Sequence, residues 1–118
     1  MKNQVLTIKQ INILKSLGFD IEKYSSMCWL GSNLLPKEDG MVKCFCETTP
    51  TMTIGDIINI LPTHIEENRY ELMINKNSVK YYSYLLNDCI FEANLSLEIK
   101  TIDALFCCLK WCIDNKYL

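Results

Sequence analysis

The sequence predicts an α+β fold: a small antiparallel sheet, a hairpin or three strands, packed against a C-terminal helix, with two shorter capped helices. Three observations carry this. "LTIKQINILKSLG" and "MTIGDIINILP" each place a threonine three residues before a Gln or Asp and then space their apolar residues helically. "YELMINKNSVKYY" alternates with a period of two around a polar turn, and "TIDALFCCLKWCID" returns to a helical period.

In the first helix Thr7 serves as cap, Gln10 bonds back to it, Leu6 staples against Ile11, and Gly18 supplies a left-handed stop. Ile8, Ile11, Leu14 and Leu17, helped by Ile13, form its apolar face. The second capped helix repeats the device with Thr53, Asp56 and a Met52–Ile57 staple, and Pro62 bounds its end. Shared capping chemistry, rather than an internal repeat, accounts for the likeness. Between them, residues 25–50 hold Gly31, Pro36, Gly40 and Pro50, and the turn "PKEDG" separates "MCWL" from "MVKCFCE". That pattern predicts a hairpin; the alternative is that residues 25–50 wrap over the last helix and cover Trp111.

From Arg69 onward Tyr70, Leu72 and Ile74 alternate with polar or outward residues, "KNS" turns the chain, and a second strand follows from Val79 toward Leu86. "NDCIFEANL" adds a third strand after a turn at Asn87 and Asp88, with Cys89, Phe91 and Ala93 on one side. The last helix runs from a cap at Thr101, with Asp103 in its first turn, to about Asn115. Ile102, Leu105, Phe106, Leu109, Cys112 and Ile113 share its core face. Ala104, Cys107, Cys108 and Trp111 fall largely opposite, which leaves Asp103, Lys110 and Asp114 as a narrow polar strip. A helix this apolar is either buried between layers or offers its second face to a protein partner or another copy of the chain.

A chain of 118 residues is read as one domain, 1–118. Fourteen acidic residues against twelve basic ones give a net charge of −2, so nucleic acid is a disfavoured partner. No apolar run is long enough to span a bilayer, and "MKNQVLTIKQ" lacks the apolar core of an export signal, so a cytoplasmic location is expected. The seven cysteines are then expected as free thiols; an odd number cannot all pair within one chain.

Zinc is the sharpest chemical alternative. Cys44 and Cys46 share one side of a strand, and Cys108 and Cys112 lie one helical turn apart, so four thiolates can converge. Neither "CFC" nor "CLKWC" has the C-x-x-C spacing of a zinc knuckle, and the competing expectation is that the cysteines pack as small hydrophobes, with no cofactor. The adjacent Cys107 and Cys108 point about 100° apart on a helix, which does not suit a redox pair. The one histidine, His64, offers a base only if Cys28 or Cys89 comes to it. Adjacent Glu66 and Glu67 read as a solvated pair, and no phosphate loop or hydrolase motif occurs, so no catalytic set is assigned. "KNSVKYYSY" aligns Tyr82 and Tyr84 with Lys80, a stacking platform for single-stranded nucleic acid or simply tyrosines packing in a sheet.

The order "PTMTIGDIINILP", "YELMI" and "TIDALFCCLKWCIDNKYL" resembles small uncharacterised proteins encoded by gut Bacteroidales and their phages or mobile elements. These pair T-x-x-D-I-I-x-x-L-P with I-D-A-L-x-x-x-L-x-W-x-I, and the likeness covers about the last two-thirds of the chain. It implies no activity and no residue roles. Together these readings lead to a non-enzymatic protein-interaction module, an accessory protein of a phage or mobile element, with Ala104, Cys107, Cys108 and Trp111 as its contact face. A small zinc-binding protein is the alternative, and a single-strand binder the third reading.

Overall fold

Thr7 closes an extended lead-in and starts α1 (Ile8–Ser16) in the manner its spacing predicts: its hydroxyl accepts the Gln10 N–H at 3.2 Å, and the Gln10 side chain accepts the Thr7 N–H at 3.0 Å. The structure, a computed structural model, describes residues 4–36 and 48–118. Gly18, at φ +82°, ends the helix, with the Phe19 N–H on the Leu14 carbonyl and the Gly18 N–H on the Lys15 carbonyl. A short α2 (Ile21–Tyr24) follows, capped by Asp20.

A hairpin forms within residues 25–50 with its turn at Gly31 and Ser32, while the expected pairing of "MCWL" with "MVKCFCE" through "PKEDG" involves residues 37–47, outside the described residues. β1 (Met27–Leu30) pairs antiparallel with β2 (Asn33–Pro36) across Gly31 and Ser32, with Gly31 at φ +60°. Only a turn with positive φ joins two twisted strands in two residues, and glycine takes it without a Cβ clash. The stretch "MVKCFCE" lies outside the described residues. The other side of β1 pairs with β3 (Thr49–Thr51), giving a three-stranded sheet in the order β2-β1-β3. The N-terminal segment is tied to it: the Trp29 indole and the Thr51 hydroxyl both donate to the Leu6 carbonyl, at 2.9 and 2.8 Å.

α3 (Ile54–Ile60) carries the second capping box, with Thr53 and Asp56 exchanging bonds of 2.9 and 3.0 Å. The same Asp56 oxygen accepts the backbone and hydroxyl of Ser26, which ties this helix to the start of β1. Beyond Pro62 comes the second sheet, in the order β4-β5-β6-β7 and antiparallel throughout: β4 (His64–Ile65), β5 (Tyr70–Ile74), β6 (Ser78–Ser83) and β7 (Asp88–Asn94). The predicted third strand is β7, half-buried at Cys89, Phe91 and Ala93; β4 is an addition that its two residues could not announce. β6 stops at Ser83, short of the predicted Leu86, because Tyr84 to Asn87 form the turn into β7.

α4 (Thr101–Asp114) lies between the layers. It packs on β6 and β7 on one side and on α3 on the other, and the Gln10 amide of α1 donates to Asp103 at 3.0 Å. Its cap position is Lys100 rather than Thr101, the Lys100 N–H being accepted by the Asp103 carboxylate at 3.1 Å. Leu6, Ile11, Leu14, Met52, Ile57, Val79, Tyr81, Leu105 and Leu109 share one core. Among the described residues no helix is long and apolar enough to cross a membrane.

Candidate functional site

The second face of α4 is covered by the chain itself. Ala104 and Cys108 are wholly buried against the four-stranded sheet, and Trp111 is half-buried, its ring 5.8 Å from Tyr81, 5.1 Å from Phe91 and 5.3 Å from Tyr117. Of the four residues read as a contact face, only Cys107 is exposed, on the polar strip with Asp103, Lys110 and Asp114. The correction has a simple cause: a helix apolar on both sides satisfies both when a sheet and a helix layer flank it. The rings over Trp111 come from β6, β7 and the C-terminal tail.

Cys108 and Cys112 are neighbours on that buried side. The Cys112 thiol donates to the Tyr81 hydroxyl at 3.7 Å, and that hydroxyl donates to the Pro62 carbonyl at 2.8 Å. A bond with Cys112, then burial, pushes the Cys108 thiol well above the ordinary range, so it stays protonated. Partial desolvation and then Asp103 raise Cys107 as well, with Lys110 pulling the other way. Cys44 and Cys46 lie outside the described residues, and among the described residues no group of three His, Cys, Asp or Glu side chains is placed to hold a metal ion. His64 is hydrogen-bonded to Thr63 at 3.3 Å. Cys89 sits three strands away from it in the same cross-strand row, roughly 14 Å at the usual strand spacing, and Cys28 belongs to the other sheet.

A different place gathers exposed chemistry. Between β4 and β5 the chain turns through Glu66, Glu67 and Asn68 at φ +54°, +57° and +67°, three successive left-handed residues without a glycine. Each such L-residue costs roughly 1–2 kcal/mol, somewhat less for asparagine. The turn is closed by the Arg69 N–H on the Glu66 carbonyl at 3.2 Å, and the Tyr117 hydroxyl bonds the Glu66 carboxylate. Pairing on either side holds it, through His64 opposite Glu71 and the Leu72 N–H on the Thr63 carbonyl at 2.9 Å.

The register continues outward from that turn. His64, Glu71 and Tyr82 stand side by side on three adjacent strands, on the sheet face away from α4. Tyr82 meets Tyr84 edge-on, with centroids 5.0 Å apart, Lys80 Nζ lies 5.3 Å above the Tyr82 ring, and the Tyr82 hydroxyl bonds the Asn87 amide oxygen. Of these, His64, Glu71, Tyr82 and Tyr84 line, together with Glu67 and Arg69, a cleft of about 390 Å³. At its rim Tyr84, Leu85 and Leu86 are 71%, 91% and 53% exposed, three large side chains in a row held toward water. Tyr82 and Tyr84 are therefore not core tyrosines; Tyr81 is. Counting by twos from the buried Val79 already assigns residues 81 and 83 to the inside and 80, 82 and 84 to the outside. No protein-family model, curated protein or solved structure matches the chain.

Proposed function

We propose that the chain is a non-enzymatic protein-interaction module that meets its partner at this end of the four-stranded sheet. The observation that carries the reading is the run Tyr84-Leu85-Leu86, which spends apolar area on water at the mouth of a cleft. Tyrosine and arginine walls are residue types that interface centres favour. The resemblance to proteins of gut Bacteroidales, their phages and mobile elements supports an accessory role in such an element. The backbone strain at Glu66 to Asn68 fits a site held in one shape at the expense of stability.

The test is affinity capture from the native host with wild type and with Leu85→Glu/Leu86→Glu, accompanied by sedimentation of both. Both side chains already face water, so the double variant folds, and its partner affinity drops about tenfold or more, as for a hot-spot residue. A partner, or a second copy of the chain, held equally well by the double variant would sink the proposal.

A further inference from the structure

We infer that the cleft between Tyr84 and Glu71 receives a cationic side chain, lysine or arginine, presented by the protein partner. This deepens the interaction reading and rests on it. Three features of the cleft point the same way. First, one aromatic wall is open: Tyr84 is 71% exposed, its ring nearly perpendicular to that of Tyr82, so ring surface with its negative π face is available to a cation. Second, the geometry is already in use within the chain, since Lys80 Nζ sits 5.3 Å over the neighbouring Tyr82 ring. Third, one carboxylate of the lining is unengaged: Glu67 lies 3.9 Å from Arg69 and Lys80 sits over the Tyr82 ring, whereas Glu71 has no ion pair among the described residues.

A cation entering beside Tyr84 thus finds a ring face and a free carboxylate, with the exposed Leu85 alongside for the aliphatic stem of a lysine or arginine. A phosphate backbone arriving at the same place meets Glu67 and Glu71 instead. Tyrosine stacking alone would tolerate bases, but the carboxylates oppose the strand that carries them.

The experiment is an amide and aromatic NMR titration of the full chain with an acetylated tetra-arginine peptide, with tetra-glutamate and an oligothymidylate as separate arms. Saturable shifts are expected with tetra-arginine, confined to residues 63–71 and 80–87. They weaken as salt rises from about 20 mM to about 200 mM, since exposed charges are screened. Glu71→Gln and Tyr84→Leu each lower the affinity about threefold to fivefold, the size expected for one exposed ion pair or cation–π contact. Both positions are solvent-facing, and an unchanged spectrum away from the cleft verifies the fold of each variant. Shifts spread over the whole surface, or indifferent to Glu71→Gln, would overturn the inference, as would oligothymidylate binding at these residues in preference to tetra-arginine. If tetra-arginine fails here while Leu85→Glu/Leu86→Glu still abolishes partner capture, the cationic ligand is wrong and the interaction surface stands. The reverse pair of results leaves a cation site without the proposed interface.

Discussion

Tyr81 and Tyr82 are neighbours on one strand with opposite environments. Tyr81 is 0% exposed, has Leu72 on one side and Phe91 on the other, lies beneath Trp111, and sends its hydroxyl to Pro62. Tyr82 faces away from α4, with Lys80 over its ring and Tyr84 against its edge. Residue type and strand are the same, with a shift of register to β7 between the two; the layer above differs. An aromatic side chain contributes to stability in proportion to what covers it, and a sheet with one covered face leaves its other face free for recognition.

The largest effects should come from the covered side. Tyr81→Ala is expected to cost about 3–5 kcal/mol and Leu109→Ala about 2–5 kcal/mol, as deletions of buried side chains do. Trp111→Glu belongs in this class, because it sets a carboxylate among Tyr81, Phe91 and Tyr117. Urea melts measure all three; a Tyr81→Ala protein within about 1 kcal/mol of wild type would mean that the sheet's faces are assigned the wrong way round.

A subtler change on the same side is Tyr81→Phe, which keeps the ring and removes the hydroxyl from between Pro62 and Cys112. It should cost about 1–3 kcal/mol for the carbonyl and thiol left without that partner. It should also alter the response to alkali. Burial raises the Tyr81 pKa above the ordinary tyrosine range. Below about pH 10 neither state ionises this group, and its contribution is fully present. Above that pH the unfolded chain releases a proton that the folded chain retains, so stability falls by up to about 1.4 kcal/mol per pH unit. Urea midpoints between pH 9 and pH 11 should therefore decline more steeply in wild type than in Tyr81→Phe; parallel slopes would remove the buried hydroxyl from the explanation.

The strained turn beside the open face predicts the opposite sign. Glu67→Gly relieves a left-handed residue at the loss of a weak exposed ion pair, and should raise stability by about 1 kcal/mol. The same substitution at exposed Lys9, inside α1, should lower it by a similar amount. Smallest of all, Tyr84→Ala should stay within about 1 kcal/mol of wild type in the same melts, since its side chain is 71% exposed, while the half-buried Tyr82 falls between it and Tyr81. A loss comparable to that of Tyr81→Ala would show that the open face is as necessary to folding as the closed one.

Legibility in the sequence followed the range of the interactions. Both capping boxes and the Schellman-type end of α1 were readable because each partner lies within three to five residues. The β5–β6 hairpin was readable for the same reason. The β1–β2 hairpin has a local signal too, since Gly31-Ser32 is a two-residue turn signal. Neither the left-handed turn at Glu66 to Asn68 nor the cleft beside it has a local signature. No glycine marks the turn, and its shape is imposed by β4 returning against β5.

By itself the sequence determined where α1 and α3 begin, that the β5–β6 pair alternates, and that α4 is apolar around most of its circumference, because these follow from bonds and periodicities within a few residues. Only the tertiary structure decided that the sheet covers Ala104, Cys108 and Trp111, and that Tyr84 is left open. Hydrophobic burial has no direction of its own; which apolar surface meets which depends on how distant elements stack, and here the stacking closes one face of the sheet and leaves the other to water.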